Sequence, residues 1–288
     1  MVQGATEGAT RLPAARPANH ASGREAGHYG EWQLEVRNYT VSVGKDHWLN
    51  VVEAGQGPTV LLVHGGAGSW ANFTHQVRDL SRTHRIVAPD LRGHGSSPWP
   101  GPSDADDFYR DLVALVSGLD LPPRFALVGH SFGGYLSTRF AADHPERVSR
   151  LALLNTSGDL PRGLTYRFLE TFSGGADLMR EKFPWMVNTG SAVATCLMRR
   201  TLKQWDCWDL YPRIQAPTLV VLGTFDPLIP LRRGREMARR IPGARLEILP
   251  VGGHVSMAES PEQVTAWLRQ LLEGELAPRE RSLPRRSA

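Results

Sequence analysis

The sequence contains few of the features that mark secreted, membrane or metal-binding proteins. Only two cysteines are present, Cys196 and Cys207, which predicts reduced thiols rather than a disulfide framework. No apolar run approaches the ~20 residues that a membrane-spanning helix needs, and residues 1–30 lack the short apolar segment of a secretory signal. No group of histidines, cysteines and carboxylates has metal-ligand spacing. We therefore expect a cytoplasmic protein with no metal site and no membrane span.

A strong charge excess is also absent from most of the chain. The net charge is +4, from 33 Lys and Arg against 29 Asp and Glu. Residues 1–30 hold three arginines and two glutamates, and residues 275–288 hold four arginines and two glutamates. The rest of the chain is close to neutral, which does not favour nucleic-acid binding. We expect a small-molecule substrate, and the oligomeric state stays open.

The two ends differ in composition from the chain between them. Residues 1–30 are rich in Ala, Gly, Arg and Pro and show no hydrophobic periodicity, so a disordered N-terminal extension is predicted. Residues 275–288 are predicted to form a disordered basic tail for the same reason. Residues 31–274 are predicted to form one domain.

Short apolar runs alternate with amphipathic stretches in this domain. An opening antiparallel pair is predicted at residues 32–43 and 47–55. Further strands are predicted at 59–65, 85–90, 125–131, 151–155, 218–223 and 245–250, and helices at 70–81, 104–119, 132–143, 231–240 and 261–272. Most of these later strand runs are apolar throughout, as in strands buried on both faces. The pattern predicts an α/β fold with a mostly parallel sheet covered by helices on both faces.

One long interval, about residues 157–213, contains no convincing strand. It is rich in large apolar residues: Phe168, Phe172, Phe183, Trp185, Met186, Met198, Trp205 and Trp208. More than fifty residues are too many for a structureless loop in a compact domain. We predict a helical insertion above the carboxyl ends of the strands, where ligands bind in such sheets.

The segment LVGHSFGGYL, residues 127–136, runs an apolar strand directly into a serine between glycines. Gly129, Ser131 and Gly133 match G-x-S-x-G, in which a sharp strand-to-helix turn exposes the serine and excludes neighbouring side chains. The pentapeptide also arises by chance, so its context carries the prediction. We predict that Ser131 is a catalytic nucleophile.

A serine hydroxyl needs a base, and the base needs a carboxylate to orient it. Asp226 and His254 each follow a predicted strand, giving the chain order Ser, Asp, His that is typical of this motif. Asp159, after an earlier strand, is an alternative acid. For the oxyanion that forms during acyl transfer, we predict a hole made by the backbone N–H groups of Gly66 and Phe132.

Five motifs together resemble the α/β-hydrolase fold superfamily. They are HGGAG at 64–68, DLRGHGS at 90–96, GHSFGG at 129–134, GTFDPLIP at 223–230 and GGHVSMAESPEQV at 252–264. The resemblance covers roughly residues 32–273. It implies eight strands, a helical cap inserted after the sixth, and no cofactor.

The resemblance and the serine together predict a serine hydrolase. We expect cleavage of a carboxylic ester, or of a thioester or amide, of a small apolar substrate through an acyl-enzyme. Two alternatives stay open: a carbon–carbon bond hydrolase or cofactor-free perhydrolase of the same fold, and a small-ligand receptor with little turnover. The residues predicted to line the substrate pocket are Trp70, Trp185, Met186, Leu228 and Val255. His64, His94 and His130 are expected to hold loops together.

Overall fold

The computed structural model describes residues 23–29, 32–183 and 186–275. Its strands are β1 (Gly23–Tyr29), β2 (Trp32–Gly44), β3 (His47–Ala54), β4 (Thr59–Val63), β5 (Arg85–Pro89), β6 (Phe125–His130), β7 (Val148–Leu154), β8 (Thr218–Gly223) and β9 (Arg245–Leu249). They form one sheet in the order β1-β2-β3-β5-β4-β6-β7-β8-β9. Strands β5-β4-β6-β7-β8-β9 pair in parallel, and β3 and β2 extend the sheet antiparallel. The eight expected strands are β2 to β9, and the predicted fold class is confirmed.

Strand β1, which is additional to the eight expected strands, corrects one prediction. Residues 23–29 lie within the segment predicted as disordered, but β1 pairs antiparallel with β2, in a register that places Gly23 opposite Asn38 and Tyr29 opposite Trp32. An edge strand is held by backbone hydrogen bonds to one neighbour, so it does not require an apolar periodicity. The prediction of disorder was therefore wrong for these seven residues. Of the other residues predicted as disordered, 1–22, 30 and 276–288 lie outside the described residues.

The helices agree with the sequence pattern. They are α1 (Thr74–Leu80), α2 (Ala105–Gly118), α3 (Phe132–Asp143), α4 (Leu164–Phe172), α5 (Ala176–Lys182), α6 (Ser191–Arg199), α7 (Leu231–Arg240), α8 (Ser256–Glu259) and α9 (Pro261–Leu272). Helix α2 begins at a reciprocal cap. The Asp104 carboxylate accepts from the Asp107 N–H at 3.0 Å, and Asp107 returns the contact at 2.8 Å.

The sheet is buried on both faces. In β4, Leu61 and Val63 belong to the core shared with α2 and α3, whereas Val60 and Leu62 belong to the core shared with α1 and α9. This alternation follows from the two-residue period of a strand. It explains why the central strands β4, β6 and β8 are mostly apolar, and it gives the strand-end loops a rigid support.

The interval between β7 and β8 forms the helical insertion, residues 157–213. Its described part contains α4, α5, α6 and three short 3₁₀ helices, and no strand. The insertion is bonded to loops at the carboxyl ends of other strands: the Asn188 N–H donates to Ala67 O at 2.6 Å, and Thr189 Oγ1 donates to Gly93 O at 2.7 Å. These bonds place it over the end of the sheet that carries the motifs. None of the helices in the described ranges is both long enough and apolar enough to cross a membrane.

Candidate active site

Ser131 sits at the sharp turn between β6 and α3. Its φ of +50° lies in the left-handed region that non-glycine residues rarely occupy. The turn is crowded, because a Cβ built on Gly129 would lie 2.5 Å from Gly133 O, and one built on Gly133 would lie 2.2 Å from Val63 O. The glycines at these positions are therefore steric requirements, and the serine is presented at the end of the sheet.

His254 lies between Ser131 and Asp226. Its Nε2 is 3.0 Å from Ser131 Oγ, and its Nδ1 is 2.9 and 3.0 Å from the two carboxylate oxygens of Asp226. The Asp226 contacts assign the ring proton to Nδ1, which leaves Nε2 to accept from the serine hydroxyl. Asp159 is instead ion-paired with Arg233 at 3.3 Å. Asp226, of the two carboxylates considered, is the one beside the imidazole.

The Asp226 carboxylate is buried and extensively hydrogen-bonded. Oδ1 accepts from the backbone N–H groups of Leu228 and Ile229, at 2.8 and 2.9 Å, and Oδ2 accepts from Asn155 Nδ2 at 3.0 Å. Burial by itself raises the pKa of this carboxyl, but the contact with His254 and these donors outweigh it, so the pKa is lowered from its ordinary value. Asp226 is therefore held ionised against the imidazole.

The backbone around His254 is held by three side chains. Glu259 accepts from the N–H groups of Gly253 and Val255, on either side of the histidine. Asn155 Nδ2 donates to Gly253 O at 2.8 Å, and His130 Nε2 donates to His254 O at 2.7 Å. The imidazole is thereby fixed in position before any substrate arrives.

Sequence reasoning assigned no role to Asn155 or Glu259. Asn155 follows β7 with a φ of +46°, a conformation that asparagine tolerates better than most residues. Its one amide group bonds both the Asp226 loop and the His254 loop. The only signal in the sequence was an asparagine at the end of an apolar strand. Glu259 was not recognised, although its contacts are local, with residues six and four positions before it.

The backbone around Gly66 is fixed by two buried histidines. His64 donates from Nδ1 to Gly65 O at 2.7 Å and accepts at Nε2 from the Leu91 N–H at 2.9 Å. The Ala67 N–H donates to His94 Nε2 at 3.0 Å. A Cβ built on Gly65 would lie 3.0 Å from Ser131 Cβ, so this loop passes directly against the serine. That proximity is compatible with the expected use of the Gly66 N–H.

Burial keeps the loop histidines neutral. It lowers the pKa of His64 to about 4 and the pKa values of His94 and His130 to about 3, from an ordinary value of 6.5. Each of the three rings hydrogen-bonds the backbone of the loops around the site. The geometry agrees with the expectation that these histidines join loops.

The insertion contacts the loop that holds Gly66. Ser131 is only 7% exposed, and Leu197 of α6 reaches to 4.0 Å from a Cβ built on Gly66. Leu197, which sequence reasoning did not single out, is therefore placed to contact a group bound between Gly66 and Ser131. Its apolar side chain does not favour a charged group at that position.

The five predicted pocket residues have different surroundings. Leu228 and Val255 adjoin the site, because the first donates its N–H to Asp226 and the second follows His254. Trp70 is buried in the core beside α1, and its backbone N–H donates to the Asp90 carboxylate at 2.9 Å. Met186 is half-buried in the insertion, and Trp185 lies outside the described residues. The pocket role of all five stays a prediction.

Metal-ligating side chains are not grouped in the part of the chain that is described. There, no three His, Cys, Asp or Glu side chains are arranged to hold a metal ion. Cys207 is buried, and desolvation raises the pKa of its thiol to about 12, so it is not a reactive thiolate. The expected absence of a cofactor stays a prediction.

Comparison with known proteins identifies similar chains of several activities. Residues 58–207 match the family model described as alpha/beta hydrolase fold, and residues 182–282 match that of a TAP-like protein. Protein ABHD8 of Homo sapiens is 26% identical over 275 residues, covering 85% of this chain and 62% of its own length. The chain thus spans less than two thirds of that relative. The putative carbamate hydrolase RutD of Shigella flexneri is 28% identical, covering 78% of this chain and 95% of its own.

Solved structures share the architecture. A thermophilic esterase from Thermogutta terrifontis is 27% identical with a TM-score of 0.69, covering 82% of this chain and 98% of that one. The enol-lactonase from Burkholderia xenovorans LB400 is 24% identical with a TM-score of 0.71, covering 81% and 99%. The family model matches 150 of the 288 residues (207 − 58 + 1). The chain therefore belongs to the alpha/beta hydrolase fold family.

Proposed function

We propose that this protein is a serine hydrolase that cleaves a carboxylic ester, with thioester or amide cleavage as close variants. Membership of the family supports a hydrolase. The observation that carries the finer proposal is the chain of contacts from Ser131 Oγ through His254 to Asp226, at 3.0 and 2.9 Å. Such a chain lets a hydroxyl act as a nucleophile near neutral pH.

The proposed reaction begins with attack of Ser131 Oγ on the carbonyl carbon. His254 Nε2 takes the hydroxyl proton as the new C–O bond forms, and Asp226 stabilises the resulting imidazolium. The carbonyl oxygen becomes an oxyanion, which the N–H groups of Gly66 and Phe132 are proposed to bind. Losing one such donor typically costs about 10²- to 10³-fold in rate.

Collapse of this intermediate breaks the bond to the leaving group, which departs with the proton from His254. The acyl-enzyme on Ser131 is then attacked by water, whose proton passes to His254 Nε2. Collapse of the second intermediate breaks the bond to Ser131 Oγ, returns the proton to it and releases the carboxylic acid. The triad is restored with no net change in charge.

The proposed substrate is neutral and apolar near the reacting carbonyl. Phe132, which follows the serine, and Leu197, which lies near Gly66, are both buried apolar residues. All six arginines of the insertion are exposed: Arg162, Arg167, Arg180, Arg199, Arg200 and Arg213. The insertion therefore offers no buried arginine side chain, among its described residues, that could bind a substrate carboxylate.

A second candidate is supported by one relative. The 2-hydroxymuconate semialdehyde hydrolase of Pseudomonas sp. (strain CF600) is 26% identical, covering 73% of this chain and 85% of its own length. This favours keeping carbon–carbon bond hydrolysis of a dienone acid as the alternative. The exposed arginines of the insertion weigh against it, because such a substrate carries a carboxylate that needs a cationic partner. Perhydrolysis and ligand sensing also remain alternatives. A cytoplasmic location stays a prediction.

The test combines a fluorophosphonate probe with a chain-length series of p-nitrophenyl esters. We expect labelling at Ser131 and ester turnover in the native protein, and at least about 10³-fold lower kcat/KM in Ser131→Ala. The folded state should be retained, because the substitution removes only a hydroxyl. A native protein that neither labels nor hydrolyses any ester would refute the esterase proposal. Turnover of a dienone acid but of no ester would favour the alternative.

A further inference from the structure

The insertion exposes a set of large apolar side chains along one stretch of 20 residues. Phe168, Phe172 and Leu178 are 61%, 62% and 56% exposed, and Leu164 is 85% exposed. We call the following set the apolar face: Leu164, Phe168, Leu169, Phe172, Leu178, Met179 and Phe183. It comprises seven of the ten large hydrophobic residues that are exposed in the described part of the chain. Roughly 600 Å² of apolar side-chain surface is at the upper end of what a monomer exposes.

The apolar face is organised by helix geometry. Leu164, Phe168 and Phe172 are four residues apart along α4, which places them on one side of the helix. The rings of Phe168 and Phe172 are 4.6 Å apart. Tyr166 is buried, and its hydroxyl donates to Met198 O. The helix is therefore anchored by one side and presents the apolar stripe to solvent.

Positive charge exceeds negative charge around the apolar face. Exposed cations occur before and within it, and none of these forms an ion pair with a carboxylate of the described residues: Arg162, Arg167, Arg180 and Lys182. The same stretch holds three acids, Glu170, Asp177 and Glu181. Glu170 pairs with Lys203 at 2.6 Å, and Asp177 Oδ2 accepts from the Ser191 N–H at 3.3 Å. Residues 162–203 as a whole hold seven Lys and Arg against three Asp and Glu, so this part of the insertion carries a net charge of +4.

We propose that the apolar face docks on an anionic lipid surface. Large apolar side chains flanked by arginine and lysine are the combination that binds at the lipid–water boundary, because the side chains enter the acyl region while the cations contact the phosphates. A second copy of the chain fits less well, since a two-fold contact would bring the same cations together. The ends of the chain, residues 1–22 and 276–288, are themselves basic and do not complement the face.

The test is flotation of the full-length protein with vesicles of phosphatidylcholine alone or with about a third of phosphatidylglycerol. We expect at least tenfold stronger binding to the anionic vesicles, weakened by 0.5 M salt. The double variant Phe168→Ser/Phe172→Ser should lose tenfold or more of this binding. The matched control Val251→Ser, which removes an 80% exposed apolar side chain outside the face, should bind like the native protein.

A charge variant separates the two contributions. Arg167→Gln/Arg180→Gln/Lys182→Gln should bind both vesicle types equally weakly. Thermal unfolding of each variant verifies that it folds, and Ser131→Ala should bind vesicles like the native protein, so this test is independent of the reaction. Native protein that does not float with anionic vesicles overturns the proposal. So does a dimer in sedimentation velocity that dissociates in the double phenylalanine variant while vesicle binding is unchanged.

Discussion

The loops at the carboxyl ends of the strands and the helical insertion solve opposite physical problems. The loops carry polar groups in a buried place, so their backbone and side-chain polar atoms bond to one another, and Ala67, Ser131 and Asn155 adopt positive φ values. The insertion carries apolar side chains that are exposed to solvent. Three of them, Leu164, Phe168 and Phe172, lie on the outer side of α4. The difference teaches that strain and buried polarity are concentrated where chemistry requires fixed atoms. The exposed surface of the insertion does not need its atoms fixed in this way.

The largest expected effect separates the two carboxylates that the sequence left open. Asp226→Asn should lower kcat by about 10⁴-fold, because an amide cannot hold the imidazole in the required tautomer or stabilise its charge. Asp159→Asn, at the start of the insertion, should change kcat by less than about threefold. The kcat of each variant is measured with the p-nitrophenyl ester that the native protein hydrolyses fastest. A loss of comparable size in Asp159→Asn would show that it, too, supports His254.

Alanine substitutions at two glycines compare the packing around the strand-end loops with the packing in the insertion. Gly133→Ala should destabilise the protein by about 3 kcal/mol or more, because the added methyl group would lie 2.2 and 2.4 Å from the carbonyl oxygens of Val63 and His64. Backbone atoms of a central strand cannot easily move aside. In the insertion, a Cβ on Gly174 meets nothing within 4 Å. Gly174→Ala should therefore change the free energy of unfolding by less than about 1 kcal/mol.

Urea titration of each variant beside the native protein measures both free energies. Equal destabilisation by the two substitutions would mean that the crowding of the elbow is relieved by movement of the loop. It would also remove the packing argument for glycine at this position.

The remaining comparison concerns pH, and it involves histidines of the loops alone, since residues 157–213 contain no histidine. His64, His94 and His130 have pKa values lowered to about 4, 3 and 3 by burial. Below pH 6.5 the unfolded chain binds protons that the folded protein does not. Stability should therefore fall as pH decreases from about 6.5 toward 4, by up to about 1.4 kcal/mol per pH unit for each histidine.

The free energy of unfolding at pH 7.5, 6.0 and 5.0 tests this dependence. His94→Gln, which is neutral throughout, should be less stable at pH 7.5 and show a shallower decrease toward pH 5.0. An unchanged slope in His94→Gln would contradict the assignment of this proton uptake to His94.

Several features of the fold were readable from local sequence. Strands β4, β6 and β8 have apolar runs because both of their faces are buried, and α3, α7 and α9 begin and end at the predicted residues. Strand β1 was missed because an edge strand depends on its partner rather than on its own composition. The predicted site residues were recognised from motifs in which steric crowding restricts the residue type, as at Gly129 and Gly133.

The sequence by itself determined the alternation of strands and helices and the glycine-bounded serine, because these depend on side-chain periodicity and on contacts between near neighbours. Only the tertiary structure decided that Asp226 rather than Asp159 faces His254, and that Asn155 holds the histidine loop. It also decided which side of α4 is left exposed. These outcomes depend on distances between residues up to about a hundred positions apart, as with Asn155 and Gly253, which are separated by 98 residues. No local pattern encodes such distances, because they arise when the parallel strands bring their loops to one end of the sheet.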